Sequence, residues 1–234
     1  MTKAIQSRLM KGKSLALGAW TVVEAALKAT GVDHYFVFPM GATPKKDSPD
    51  PANPIMRPTD DHTRTGLNAA TCMDHLRYAL KTYAEVAWLL KQDYFMYVSD
   101  VEDAFLLLPL APWLWFFMLF RCYLSDDDSE QTTCIHLFGD FGTCGMPGTF
   151  YLFFVKVVIQ MGRSELVLTL PIVVYVDDCG IIGPVKAELD HEVAGFQSWC
   201  ATNCGVVFKW SKDRKGDQAN FMIGFTWDSR TVTR

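Results

Sequence analysis

The chain has 234 residues, half of them apolar, which is enough to bury the core of one large domain or two small ones and rules out a disordered or fibrous protein. Its net charge of −4 argues against nucleic-acid binding through bulk basicity, so any such contact must come from local Lys and Arg clusters. The seven cysteines, Cys72, Cys122, Cys134, Cys144, Cys179, Cys200 and Cys204, are odd in number and scattered, which argues against a disulfide framework and for a reducing intracellular compartment, cytoplasmic or nuclear.

The first residues are polar and basic, without the apolar core and cleavage site of a secretory signal. After this loose tail, Leu17, Trp20 and Leu27 lie near one helical face, and Gly31 is placed to stop the helix. His34–Pro39 reads as a strand. Residues 41–58 hold five prolines, Pro44, Pro49, Pro51, Pro54 and Pro58, and read as a long exposed loop. Ala69, Met73, Leu76, Leu80, Tyr83, Ala87 and Leu90 recur by four and three, which predicts a helix with a core-facing stripe. Tyr94–Ser99 is expected as a strand entering an acidic cluster. Phe116–Leu124 is expected as another, leading to the turn Asp126-Asp127-Asp128 and a return at Thr132–Leu137. Ala104–Phe120 is almost wholly apolar, but Pro109 and Pro112 interrupt it and it is short for a bilayer crossing, so no membrane span is expected.

Past the glycine-rich segment 139–148, Phe150, Phe153, Phe154, Val157, Val158 and Met161 mark one face of a helix from about Pro147 to Gly162. The strand formers Val167–Val176 then meet Asp177-Asp178, and Ile181-Ile182 resumes an apolar run, so a hairpin with paired acids at its tip is predicted. A helix through Leu189, Val193, Phe196 and Cys200 stops near Gly205. Val206–Trp210 and Asn220–Trp227 read as closing strands. The order is α+β, an antiparallel sheet backed by helices, with no internal repeat. If the strand ending at Asp100 pairs centrally with the Asp177 hairpin, these acids become neighbours, and two close carboxylates repel unless a divalent cation lies between them. Asp-Asp also occurs at turns simply because Asp bonds its own backbone. Cys200 and Cys204 near His191 lack a second metal-type pair and read as core thiols.

From about Phe36 onward these segments resemble, in order, the motifs of the reverse transcriptase family. Lys45-Lys46-Asp47, Arg57-Pro58-Thr59-Asp60-Asp61 and Leu67-Asn68 are similar to the fingers, and Ser99 to Phe105 to the first catalytic motif. Phe141 to Phe150 resembles the opening of the template-gripping helix, and Tyr175-Val176-Asp177-Asp178 the motif carrying the paired aspartates. Gly205 to Phe208 with Lys212 is similar to the fourth motif, and Met222-Ile223-Gly224-Phe225 to the primer grip.

The resemblance implies a polymerase right hand with a ferredoxin-like palm. Fingers would span 1–92 (the first 33 residues an N-terminal extension), palm 93–117, a fingers hairpin 118–140, and the second palm part 141–234. No room is left after Arg234 for thumb or RNase H regions, which would lie elsewhere in a larger retroelement polyprotein. It further implies RNA-directed DNA synthesis on an RNA or DNA template with a primer, from dNTPs, using two Mg2+ or Mn2+ ions. Asp100, Asp177 and Asp178 would be catalytic and bind metal, with help from the Val101 carbonyl. Phe105 would exclude a ribose 2′-hydroxyl. Lys45 (with Lys46 beside it), Arg57, Gly142 and Lys212 would contact the nucleotide, and Met222, Ile223 and Gly224 would form the primer grip. Met146 departs from a usually small position, and Leu106–Leu108 with Trp113–Trp115 replace polar residues, implying an exposed apolar surface. Two alternatives compete: a decayed or domesticated copy that binds nucleic acid or protein without polymerising, and RNA-directed RNA synthesis, which generally places a second Asp where Ala104-Phe105 stands.

Overall fold

Strands of two to six residues build two four-stranded sheets and two two-stranded ribbons, and a four-stranded sheet with apolar faces needs helices to cover it. The computed structural model describes residues 2–44, 48–125, 127–209 and 214–231. In chain order the elements are α1 (Thr2–Met10), β1 (Ser14–Gly18), α2 (Trp20–Ala29), β2 (Val37–Phe38), β3 (Met40–Pro44), β4 (Met56–Asp60), α3 (Leu67–Ala70), α4 (Tyr83–Leu89), β5 (Phe95–Asp100), β6 (Leu119–Cys122) and β7 (Thr132–His136). Next, α5 (Met146–Phe150) runs through a π-helical stretch, Tyr151–Val158, into α6 (Ile159–Leu166). Then come β8 (Ile172–Tyr175), β9 (Asp178–Gly183), α7 (Lys186–Trp199), β10 (Arg214–Asp217), β11 (Ala219–Met222) and β12 (Phe225–Asp228). The chain divides into two compact units, residues 1–75 with 105–146 and residues 76–104 with 147–234.

In the first unit, β1, β7, β6 and β2 form a sheet in that order, with β2 parallel to β6. Alternation sends Leu119 and Ile135 to one face, where Val23 and Leu27 of α2 cover them. It sends Phe120 and Cys134 to the other, against Phe38 and Ile5 of α1. The expected loose tail is therefore a helix, anchored by Ile5. Leu17, expected on a helical face, lies in β1, while α2 ends where expected, with Gly31 at φ +73 just beyond it. The strand expected over His34–Pro39 contracts to β2.

The segment expected as a loop over 41–58 is instead bounded by an antiparallel ribbon, β3 paired with β4 from Met40↔Asp60 to Pro44↔Met56. Two strands alone leave each with an unpaired edge, where proline's missing N–H costs nothing, so Pro44 and Pro58 are accommodated. The apolar run 104–120 breaks into two short 3-10 turns, Ala104–Leu107 and Pro112–Phe117, before β6. Among the described residues no helix is long and apolar enough to cross a membrane. Leu106 and Leu108 are buried, so of the expected apolar surface mainly Trp113, 67% exposed, remains.

In the second unit the sheet order is β10-β5-β9-β8, all antiparallel, from a chain order β5, helix, β8, β9, α7, β10. This is a β-α-β-β-α-β arrangement. Met96, Val98, Ile182 and Val173 pack with Val86 and Leu90 at α4 and with Met222 of β11. Tyr97, one residue out of phase, faces the other way and accepts a hydrogen bond from Gln197 of α7 at 2.5 Å.

Four expectations are corrected in this unit. The helix expected through 69–90 is one turn of α3, then an irregular segment with a turn at 74–75, then α4, which starts at a capping box between Thr82 and Glu85. That irregular segment lies so close to Gly148 that a β-carbon there would collide with the Leu76 carbonyl. The helix expected to stop at Gly162 continues to Leu166, because Gly162 is a packing site whose added β-carbon would meet the Phe196 ring at 2.9 Å. The fourth sheet strand is β10 rather than the expected Val206–Trp210, in which Phe208 makes an isolated bridge to Val101 and Trp210 lies outside the described residues. Asn220–Trp227 is a hairpin, turning at Ile223 (φ 55) and Gly224 (φ 78).

Glycines on two helices of the second unit respond oppositely to one methyl group. Gly148→Ala is expected to cost about 1–3 kcal/mol by overpacking. Gly195→Ala on α7, where an added β-carbon meets nothing within 4 Å, is expected to gain about 0.5–1 kcal/mol from helix propensity. Urea unfolding midpoints of the two variants check both signs.

Candidate functional site

The second unit gathers the acidic residues by strand register. β5 and β9 are the central pair, and Asp100 stands directly opposite Asp178. Directly opposed residues share a face and have β-carbons about 5 Å apart. Counting back by two, that face is the one carrying Val98 and Met96, opposite the face on which Tyr97 meets α7. Both carboxylates therefore stand on the side of the sheet that α7 leaves to other elements.

Tyr175 pairs with Asp178, so Val176 and Asp177 alone form the hairpin turn. Val176 sits at φ +56, an uncommon conformation for a β-branched residue and a local strain at the acidic tip. The turn is tied back to β5, since the Val101 amide donates to the Asp177 carbonyl at 2.8 Å. The Asp100 carbonyl accepts from the Lys209 amide at 2.8 Å, and the Glu102 amide donates to the Val207 carbonyl at 2.7 Å. Asp100 is buried and Asp177 and Asp178 are half-buried. Burial, with the Asp178 charge added, pushes the Cys179 thiol up to about 12, so it stays protonated. Asp100 and Asp178 thus share one face and Asp177 lies in the turn beside them; carboxylates are the ligand type a hard divalent cation takes.

Of the other residues singled out in the sequence, Met222, Ile223 and Gly224 belong to the same unit. The Met222 side chain is core, while the Ile223-Gly224 turn is partly exposed. Arg57, Phe105 and Gly142 lie in the first unit. Arg57 is exposed on β4, opposite Thr43. Phe105 is buried and packs against Phe141 with ring centroids 5.0 Å apart. Gly142 is required by packing, because a β-carbon there would collide with the Asp60 carbonyl. Met146 is buried and its sulfur fills the space beside Gly139. Lys45 and Lys212 lie outside the described residues.

The sequence reading missed a buried polar network in the first unit. Arg8 donates to Asp60 Oδ2 at 3.3 Å and lies 3.2 Å from His136 Nε2, while His136 Nδ1 meets Ser14 Oγ at 2.7 Å. His62 Nε2 lies 2.6 Å from Asp140 Oδ2, and Asp140 Oδ1 accepts from the Gly142 and Thr143 amides and the Thr143 hydroxyl. Burial pushes the Asp140 carboxyl up. The hydrogen bond from His62, the Coulombic pull of His62 and His136, and the Thr143 amide outweigh it and hold the group below the ordinary carboxylate value. Asn68 completes the loop, donating to the Gly142 carbonyl and accepting from the Cys144 amide, each at 2.9 Å. The only sequence signal for this network was polar residues at core positions of short strands. Asp60, His136 and Asp140 have the donors to bind a metal ion, their ligand atoms lying within 4.8 Å of one another.

No family model and no curated protein matches the chain. Among solved structures, the native prototype foamy virus protease-reverse transcriptase is similar, with a TM-score of 0.64 at 17% sequence identity over 96% of this chain. The match covers 25% of that chain, so this chain spans about a quarter of the length of the viral protein it resembles. The likeness is one of fold, and the mixed α+β fold of this chain is reverse-transcriptase-like.

Like charges directly opposed across two strands destabilise a sheet by roughly 0.2–1 kcal/mol. Without divalent ions, Asp178→Asn is therefore expected to raise the melting temperature by about 1–3 °C. Mg2+ should stabilise the parent chain by mass action and the variant much less. A lower melting temperature in the variant, with the Mg2+ response unchanged, would show that the carboxylates hold the fold rather than an ion.

Proposed function

We propose that this chain is the fingers and palm portion of an RNA-directed DNA polymerase of a retroelement, acting as part of a larger polyprotein. The observation that carries the reading is the register Asp100↔Asp178, with Asp177 in the adjoining two-residue turn and all three beside the central strand pair of a reverse-transcriptase-like fold. The residues from 1 to 92 and from 118 to 140 would be fingers, and the β-α-β-β-α-β unit the ferredoxin-like palm.

The carboxylates of Asp100, Asp177 and Asp178, with the Val101 carbonyl, would hold two Mg2+ or Mn2+ ions, which when bound supply charge stabilisation to nucleotidyl transfer. The fit is chemical: carboxylate oxygens are the ligands such ions take, Asp100 and Asp178 are set by strand pairing, and Asp177 sits in the two-residue turn that the Val101 amide ties back to β5. In the reaction the primer 3′ oxygen bonds to the α-phosphorus of a dNTP as the bond to pyrophosphate breaks. Arg57 and Lys45 would bind the triphosphate, Arg as a fork and Lys as a point charge, and Lys212 would assist the leaving pyrophosphate. Phe105, held by Phe141, would block a 2′-hydroxyl, and the Gly142 backbone would line the nucleotide. The Met222-Ile223-Gly224 turn would steady the primer end of an RNA- or DNA-templated duplex. The same chemistry, with Ala104-Phe105 where RNA-synthesising relatives generally carry a second Asp, favours dNTPs over rNTPs.

Primer extension on an RNA template with Mg2+ and dNTPs tests the reading. The parent chain should extend, Asp177→Asn should lose about a thousandfold or more, equivalent to about 4 kcal/mol of transition-state stabilisation, and Phe105→Val should raise rNTP incorporation about tenfold. Extension unchanged in Asp177→Asn would overturn the catalytic assignment. Tight template binding without extension by the parent would instead assign the chain to the domesticated, non-polymerising alternative.

A further inference from the structure

We propose that the first unit holds a structural zinc ion bound by Asp60, His136 and Asp140, at a site separate from the acidic residues of the second unit. All three residues are fully or almost fully buried, and their candidate ligand atoms lie within 4.8 Å of one another. The observation that points to an ion is Asp60 Oδ1, a carboxylate oxygen with no hydrogen-bond partner on a side chain with no exposed surface. It lies 3.6 Å from His136 Nε2, with the imidazole equally buried. An ionised oxygen left bare in the interior is costly, and buried charges are paired or coordinate metals.

Each ligand is already held through its other polar atom, the pattern that orients metal ligands. Arg8 takes Asp60 Oδ2 and leaves Oδ1 for the ion. Ser14 Oγ accepts from His136 Nδ1, which places the imidazole lone pair on Nε2. The Gly142 and Thr143 amides and the Thr143 hydroxyl take Asp140 Oδ1 and leave Oδ2, which His62 steadies. Arg8 Nη1, 3.2 Å from His136 Nε2, gives up that contact when the ion binds and keeps its bond to Asp60. A water molecule would complete the fourth position of a tetrahedron.

The choice of zinc follows from the donors. An imidazole with carboxylates in a buried site suits Zn2+ at low coordination number, whereas Mg2+ demands an octahedron and usually keeps several waters. The ion would pin the end of β4, the end of β7 and the loop 140–144 to one another, fixing the backbone that presses Gly142 against Asp60.

The full-length chain, purified without added metal, is assayed for zinc by plasma mass spectrometry, then stripped and titrated with Co2+ and Zn2+. The expected result is about one zinc per chain, a lower melting temperature after chelation that Zn2+ restores, and visible d–d absorption of tetrahedral cobalt. Asp60→Asn and His136→Gln should each weaken Zn2+ binding about tenfold or more, measured by competition with a chromogenic chelator. If these variants do not fold, the cobalt spectrum and zinc competition of the parent chain alone decide. A parent chain that holds no zinc, shows no cobalt absorption and has a melting temperature indifferent to Zn2+ overturns the proposal. So does zinc retained at full affinity by both folded variants, since it would place the ion elsewhere.

Discussion

The second unit depends on one register: β5 against β9, with Asp100 opposite Asp178. Side chains on a strand alternate strictly, so a slip of β5 by one residue would turn Asp100 toward α7, away from Asp178, and bring Tyr97 to the other face. The apolar residues prevent the slip. Met96, Val98 and Ile182 pack against α4 and β11, while Tyr97 meets Gln197 of α7. Hydrophobic burial on both faces is thus what holds charged groups together at one end, and the Val101 amide bond to Asp177 locks the turn to the same strand.

Glycines set the close approaches around that frame. Gly162 lets α6 lie against the Phe196 and Trp199 rings of α7, and Trp199 returns a hydrogen bond to Glu165 at 2.7 Å. Gly180 gives up its side chain to the Met222 sulfur. Gly148 admits the backbone of Leu76, which explains why the apolar stripe through 69–90 does not become one helix: its middle is an irregular segment held against a neighbouring helix.

The first unit is organised differently, around buried polar atoms. Arg8, Asp60, His136 and Ser14 form one chain of contacts and His62 with Asp140 another, in the interior between strands and the loop 140–144. Such groups are costly unless nearly every donor and acceptor is used, and most are. The two that are not, Asp60 Oδ1 and His62 Nδ1, mark where the network asks for something more.

Local signals decided what is local. Alternation gave the strands that became β5, β7, β8 and β9, the Asp-Asp hairpin and the apolar face of α7, because each rests on neighbours within a few residues. The order of motifs pointed to the reverse-transcriptase-like fold, to which the solved viral structure is similar. Other features rested on residues far apart in sequence and only the tertiary structure settled them. Pro-rich flanks became the ribbon β3–β4 because two-stranded pairing tolerates proline at its edges. Arg214–Asp217 rather than 206–210 supplied the fourth strand of the second sheet. Arg8 met Asp60, 52 residues away, and His62 met Asp140, 78 residues away. Periodicity reports which side of an element is apolar. Which polar group meets which inside the core depends on how the elements pack, and no local pattern carries that information.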